Sequence, residues 1–121
     1  MAVQAVLVVD DSLLTRTMVT KIINGHYPEW DVVQADSAET ALAIARQRVF
    51  DFVTLDYTMP GQTGLDIYPN LRALMPSSKI ALLTANVQAH IQSESEDQDI
   101  EFIAKPITEE KILQFVASVE V

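Results

Sequence analysis

Cysteine is absent from the 121-residue sequence. This absence excludes disulfide bonds, thiolate catalysis and cysteine-based zinc sites. No apolar run approaches the roughly 20 residues needed to cross a bilayer, so we predict no membrane insertion. The N-terminus also lacks a basic segment and a cleavage site, which argues against a signal peptide or a transit peptide. These absences lead us to expect a cytoplasmic protein.

Basic residues are scarce. The eight Lys and Arg face 17 Asp and Glu, for a formal net charge of −9, and they are scattered along the chain. A protein this acidic repels nucleic acid and anionic lipid, so we predict no direct nucleic-acid binding. The apolar fraction of 49% is typical of a globular protein, and the length suits one domain with one core.

Five short apolar runs of strand-like composition alternate with helical patterns. The predicted strands are Ala5–Val9, Trp30–Ala35, Phe52–Leu55, Lys79–Leu83 and Ile100–Ala104. Predicted helices follow Ser12, Ser37, Gly64 and Thr108, and another begins at about Val87. Ser12 or Asp11 could cap the first helix, Ser37 the second and Thr108 the fifth. Such alternation implies a parallel sheet covered by helices on both faces.

Three local features carry separate expectations. Pro69 lies inside the third helical pattern, where it removes a backbone donor and clashes with the preceding turn, so we expect a kink or a late helix start there. Trp30 is expected to pack only partly, at the start of a strand. The acidic run at residues 94–99 is expected to be solvated.

Four of the five predicted strands are followed by residues that could build a site, and the second strand delivers nothing distinctive. Asp10 and Asp11 follow the first strand, Asp56 the third, Thr84 the fourth and Lys105 the fifth. Right-handed crossovers place the carboxyl ends of parallel strands at one edge, where open α/β sheets bind ligands. We therefore predict that three carboxylates, one hydroxyl and one ammonium group meet at this edge.

Clustered carboxylates require a cation, because two unit charges about 5 Å apart repel by roughly 3 kcal/mol at an effective dielectric near 20. An all-oxygen site without a His/Cys set suits Mg²⁺ and not zinc. The ammonium of Lys105 and the hydroxyl of Thr84 could hold the oxygens of a phosphoryl group. Asp56 would then be the nucleophile that forms an acyl phosphate.

The sequence resembles the receiver domain of two-component response regulators. The matching pieces span nearly the whole chain in the family's order: Val9–Ser12, Leu55–Gly61, Gly64–Leu65, Leu83–Ala85 and Phe102–Pro106. The resemblance implies a single receiver domain over residues 1–121. It also implies a doubly wound, flavodoxin-like or CheY-like fold, in which a five-stranded parallel sheet of order 2-1-3-4-5 is flanked by five helices.

The resemblance assigns roles around the acceptor. It implies that Asp56 takes a phosphoryl group from the phosphohistidine of a histidine kinase or phosphotransfer protein. Asp10, Asp11, Asp56 and the backbone carbonyl of Thr58 would bind Mg²⁺. Thr58 and Asn86 occupy positions that tune the lifetime of the acyl phosphate in this family.

The resemblance also assigns a switch. Lys105 would pair with the phosphoryl group, aimed by a cis bond to Pro106. Thr84 would hydrogen-bond the phosphoryl group and move, and Phe102 would swing inward behind it. The face formed by the fourth helix, the fifth strand and the fifth helix would then change its affinity for an output protein.

Several functions fit these residues. The first is a stand-alone response regulator whose only chemistry is self-phosphorylation and self-dephosphorylation. A degenerate receiver, a phosphate sink or a phosphate relay are alternatives. A phosphatase of the haloacid-dehalogenase type is disfavoured because position 58 is Thr where that class needs a second Asp. A flavin carrier is disfavoured because the first loop is acidic. Pro69 and the acidic segment 94–99 depart from the family pattern.

Overall fold

The computed structural model of the chain describes residues 4–85 and 100–117. The strands are β1 (Ala5–Val9), β2 (Asp31–Ala35), β3 (Phe52–Asp56), β4 (Thr58–Met59), β5 (Gln62–Thr63), β6 (Lys79–Thr84) and β7 (Ile100–Ala104). The helices are α1 (Leu13–His26), α2 (Ala38–Ala45), α3 (Gly64–Leu74) and α4 (Glu109–Ala117). Helix α4 corresponds to the fifth predicted helix. The predicted helix from about Val87, the predicted tuning residue Asn86 and the acidic run 94–99 lie outside the described residues.

Five of the strands form one parallel sheet in the order β2-β1-β3-β6-β7. This order is the predicted 2-1-3-4-5, because β6 and β7 are the fourth and fifth predicted strands. The parallel arrangement places the ends of β1, β3, β6 and β7 at a common carboxyl edge. Among the described helices, none is both long and apolar enough to span a membrane.

Alternating side chains of the strands build two apolar layers, one on each face of the sheet. Val6 and Val8 of β1 face the layer formed with α1 and α4, whereas Leu7 and Val9 face the layer formed with α2 and α3. All five residues of the central strand β3 are buried. Burial on both faces explains why the three inner strands β1, β3 and β6 are almost continuous apolar runs.

Helix starts follow the predicted capping residues. The side-chain oxygens of Ser12, Ser37 and Thr108 each accept a hydrogen bond from the amide three residues later, at 3.3, 3.1 and 3.2 Å. These bonds satisfy amides that have no partner within the first turn of a helix. Ser12, and not the alternative Asp11, caps the first helix, and the predicted caps Ser37 and Thr108 are confirmed.

The start of α3 corrects one expectation. The helix begins at Gly64 and includes Pro69, so the late start near Pro69 was wrong. A capping box explains the early start, because Thr63 Oγ1 accepts from the Asp66 amide at 3.2 Å and Asp66 Oδ2 accepts from the Thr63 amide at 2.8 Å. The pattern Thr-x-x-Asp was visible in the sequence.

Trp30 corrects a second expectation, because it is a core residue with only 6% of its surface exposed. Its ring stacks on Tyr27 with centroids 4.0 Å apart and on Phe52 with centroids 5.8 Å apart. Phe52 in turn meets Phe115 of α4 edge to face at 5.5 Å. The four rings form an aromatic column near the amino ends of the strands.

A short antiparallel hairpin follows β3 and was not predicted. In it, β4 pairs with β5 through Thr58 opposite Thr63 and Met59 opposite Gln62. Gly61 adopts a φ of +81° in the connecting turn, a conformation that glycine takes without a steric penalty. The hairpin connects Asp56 to the start of α3.

Candidate functional site

Three carboxylates meet at the carboxyl edge of the sheet. Asp10 follows β1 and Asp56 ends β3, and these two strands are hydrogen-bonded neighbours. One oxygen from each of Asp10, Asp11 and Asp56 lies within 4.8 Å of the others. Asp10 and Asp56 are each only 2% exposed, whereas Asp11 is exposed. We call these three residues the acidic cluster.

Asp10 has one satisfied oxygen and one without a partner. Its Oδ1 accepts a hydrogen bond from the Ser12 amide at 2.9 Å. Its Oδ2 is buried and accepts no hydrogen bond within the part of the chain that the structure describes. Burial raises the pKa of Asp10 to about 6, and the negative charges of Asp56 and Asp11 add to this effect against the Ser12 amide and Lys105. A cation beside Oδ2 would remove the penalty.

Asp56 lies against the ammonium group of Lys105. Lys105 Nζ donates to Asp56 Oδ1 at 2.7 Å, and the Thr58 amide donates to the same oxygen at 3.4 Å. About a third of the Lys105 side chain is exposed, so an incoming group can reach it from solvent. The Lys105–Pro106 peptide bond is cis. The structure thus brings the Lys105 ammonium group into direct contact with Asp56, the carboxylate predicted to be the nucleophile.

Thr84 and Phe102 lie on the neighbouring strands. Thr84 ends β6, is 4% exposed, and accepts a hydrogen bond from the Lys105 amide through its backbone carbonyl at 2.9 Å. Phe102 is half-buried on β7, opposite Leu82 of β6 in the register, and packs against the apolar layer of α2 and α3. Phe102 also lines a groove of about 370 Å³ between β7 and α4.

Gly64 holds the backbone next to Asp56. Its amide donates to the Tyr57 carbonyl at 2.8 Å. A Cβ atom at this position would lie 2.6 Å from the Asp56 carbonyl oxygen and 2.6 Å from Leu82 Cδ1. Only glycine fits this close approach without a shift of the Asp56 backbone. The sequence contained this glycine among the motif residues but gave no physical reason for it.

Sequence reasoning missed the role of Arg16. Its Nη1 donates to the backbone carbonyl of Asp10 at 2.8 Å, and its Nε donates to Gln34 Oε1 at 3.1 Å. Arg16 therefore ties the acidic loop to α1 and β2. The sequence shows only a basic residue within the first predicted helix, which does not reveal a partner so close to the site.

The residues present fit Mg²⁺. The cluster offers carboxylate oxygens alone, which a small, hard cation prefers over the nitrogen and sulfur ligands typical of zinc. The buried Oδ2 of Asp10 also favours a cation here, because it has no hydrogen-bond partner among the described residues and such an oxygen is costly to bury. Thr58 lies at the start of β4, two residues beyond Asp56, and its side chain is exposed.

Comparisons with known proteins agree with this geometry. The chain matches the response regulator receiver domain family over residues 6–117. It is 33% identical over 110 residues to the probable transcriptional regulatory protein TcrX of Mycobacterium tuberculosis, a match that covers 89% of this chain and 46% of TcrX. The chain therefore spans about half the length of that relative.

Two further matches cover about nine-tenths of the matched protein. The chain is 30% identical over 110 residues to the chemotaxis protein CheY of Listeria monocytogenes, covering 89% of this chain and 91% of that protein. It also superposes, with a TM-score of 0.83 and 28% identity, on a chain of the CheX–CheY–BeF₃–Mg²⁺ complex from Borrelia burgdorferi, covering 98% and 90% of the two chains. With the sheet order and the family match, these findings show that the chain belongs to the CheY-like response regulator receiver domain family of two-component signalling.

Proposed function

We propose that Asp56 accepts a phosphoryl group from the phosphohistidine of a histidine kinase or phosphotransfer protein, in a reaction that depends on Mg²⁺. One observation carries the proposal: a carboxylate only 2% exposed lies in the acidic cluster with its Oδ1 2.7 Å from the Lys105 ammonium. Buried charges of one sign are expensive to keep together. The presence of these carboxylates around one ammonium group favours a role in binding and transferring a phosphoryl group.

The chemistry of the transfer is simple for the residues of this chain. The carboxylate of Asp56 attacks phosphorus, the bond from phosphorus to the imidazole nitrogen breaks, and that nitrogen keeps the electron pair and takes up a proton from solvent. The Lys105 ammonium is close enough to Asp56 to bond an oxygen of the incoming group. The Thr84 hydroxyl, at the end of the adjacent strand, would donate to another phosphoryl oxygen.

The acidic cluster would hold the cation. Asp10, Asp11, Asp56 and the Thr58 carbonyl would bind Mg²⁺, which supplies positive charge to the crowded carboxylates and to the transferred oxygens. The Oδ2 atom of Asp10 supports this assignment, because it is buried with no partner among the described residues.

The signal would leave the domain through protein contacts. We propose that Thr84 moves toward the phosphoryl group and that Phe102 turns inward, which changes the surface of β7 and α4. The groove lined by Phe102 between these elements supports the proposal, because it gives an output protein a recess to enter. A near-complete swap of the two states requires roughly 5.5 kcal/mol of differential binding.

Intact-mass measurement tests the acceptor. Incubation with phosphoramidate and Mg²⁺ is expected to add the mass of one phosphoryl group to the wild type and none to Asp56→Asn. Asp36→Asn is the matched control, because Asp36 is an exposed carboxylate that follows β2 at the same edge but lies outside the cluster. A persistent adduct in Asp56→Asn, or equally fast labelling in EDTA, would refute the proposal.

A further inference from the structure

The first turn of α4 carries a lysine whose side chain reaches back toward the site. Lys111 Nζ donates to the Ala104 carbonyl at 3.0 Å and to the Pro106 carbonyl at 3.1 Å. Ala104 and Pro106 are the residues directly before and after Lys105. One ammonium group therefore contacts the backbone on both sides of the lysine that pairs with Asp56.

The same short segment is held from the opposite direction by the sheet. The Lys105 amide donates to the Thr84 carbonyl at 2.9 Å, which continues the pairing of β7 with β6. From this backbone the Lys105 side chain extends to Asp56. Strand β6 and helix α4 thus fix residues 104–106 together, and the position of the Lys105 ammonium depends on both.

The location of Lys111 is electrostatically unfavourable for a cation with no specific partner. The amino end of a helix carries partial positive charge, and acidic residues such as Glu109 and Glu110 are preferred there. Side chains of a helix tilt toward its amino end, which directs Lys111 toward the preceding loop. The Thr108 hydroxyl also accepts from the Lys111 amide at 3.2 Å and fixes the base of the side chain.

We propose that Lys111 is a positioning residue for phosphoryl transfer. Its ammonium clamps the carbonyls on either side of Lys105, so that the Lys105 ammonium stays against Asp56 and meets the phosphoryl group in a fixed place. Lys111 acts through Lys105 and does not itself contact the reacting atoms. This inference rests on the proposed phosphorylation of Asp56.

The rate of phosphorylation by phosphoramidate tests the role. Lys111→Met keeps the aliphatic stem and removes the ammonium, and we expect about a tenfold lower rate because a small displacement of a catalytic group is costly. Lys111→Arg should recover most of the rate, because guanidinium N–H groups can also donate to two carbonyls. Lys21→Met removes the same charge from an exposed position on α1 and should keep the wild-type rate.

Mg²⁺ affinity, measured by calorimetry on the same variants, separates positioning from general damage. The bonds of Lys111 go to backbone carbonyls outside the acidic cluster, and a displaced Lys105 ammonium would compete less with the cation, so Lys111→Met should bind Mg²⁺ at least as tightly as the wild type. Equal rates for Lys111→Met and Lys21→Met would overturn the inference, as would a parallel loss of Mg²⁺ affinity or a failure of Lys111→Arg to recover. A wild type that takes up no phosphoryl group would instead overturn the proposed function on which it rests.

Discussion

The two ends of the sheet are built from opposite chemistry. At the carboxyl edge, the two buried carboxylates Asp10 and Asp56 lie beside the ammonium of Lys105, and Asp10 Oδ2 is left without a partner in the described residues. At the amino ends of the strands, the aromatic column runs from Tyr27 through Trp30 and Phe52 to Phe115. The first end concentrates charge, and the second buries apolar rings.

This contrast separates stability from chemistry within one small domain. Buried aromatic rings stabilise the fold by apolar burial and by ring contacts worth about 0.5–1.5 kcal/mol each. Buried like charges destabilise it until a cation binds. The stacked rings at one end therefore offset the cost of the charged site at the other, and the two ends should respond differently to mutation.

The largest effect is expected in the aromatic column. Trp30→Ala removes a ring that is 6% exposed and stacked on two others, which should lower the free energy of unfolding by about 3–5 kcal/mol. Under conditions in which the variant is folded, its phosphorylation rate should match the wild type, because the column lies away from the carboxyl edge. Urea denaturation and intact-mass kinetics measure the two quantities.

Val49→Ala is the control for the column, because Val49 is an apolar residue with 64% of its surface exposed. Its free energy of unfolding should change by less than about 0.5 kcal/mol. If Trp30→Ala cost no more than Val49→Ala, or if the folded variant lost its phosphorylation, the separation of the two ends would be wrong.

The next largest effect concerns Asp10 in the absence of metal. The folded state holds the Asp10 proton more tightly than the unfolded state, since its pKa rises from 3.8 to about 6. Its contribution to stability is therefore fully present below about pH 4 and is lost as the pH rises to 6, a change of about 3 kcal/mol. Asp10→Asn cannot ionise, so its stability relative to the wild type should increase over this interval.

Urea denaturation in EDTA between pH 4 and 7 measures that difference. Asp31→Asn is the matched control, because the Asp31 carboxylate forms an exposed pair with Arg48 at the amino end of β2. Exposed pairs contribute only about 0–1 kcal/mol, so this variant should show no comparable pH-dependent gain. Parallel pH profiles for Asp10→Asn and the wild type would show that Asp10 titrates normally.

The sequence predicted the sheet and the gathering of the acidic cluster because both follow from short-range patterns and from one topological rule. Five apolar runs alternating with helical segments require a parallel sheet, and the common direction of its strands places Asp10 and Asp56 at one edge. The sequence could not predict how deeply these carboxylates are buried, nor the 2.7 Å contact between Lys105 and Asp56. Distances between side chains depend on how the strands twist and how each loop is held.

The features that the sequence did not reveal depend on tertiary contacts. The hairpin of β4 and β5 has only two residues in each strand, too few for a periodic pattern. Trp30 is buried because rings from three separate segments meet, which no local window contains. In the sequence, Lys111 looks like an ordinary surface lysine. Its contacts with the backbone around Lys105 are visible only in the folded structure.

If the acidic cluster binds Mg²⁺ as proposed, the carboxyl edge is less stable without the cation than with it. The most direct test is the free energy of unfolding of the wild type and Asp10→Asn at pH 7, each in EDTA and in excess Mg²⁺. In EDTA the variant should be the more stable protein. Mg²⁺ at a hundred times its Kd for the wild type should raise the free energy of unfolding of the wild type by about 2.7 kcal/mol. The same concentration should raise that of Asp10→Asn far less. A wild type that Mg²⁺ leaves unchanged, or a variant that is less stable in EDTA, would contradict the claim.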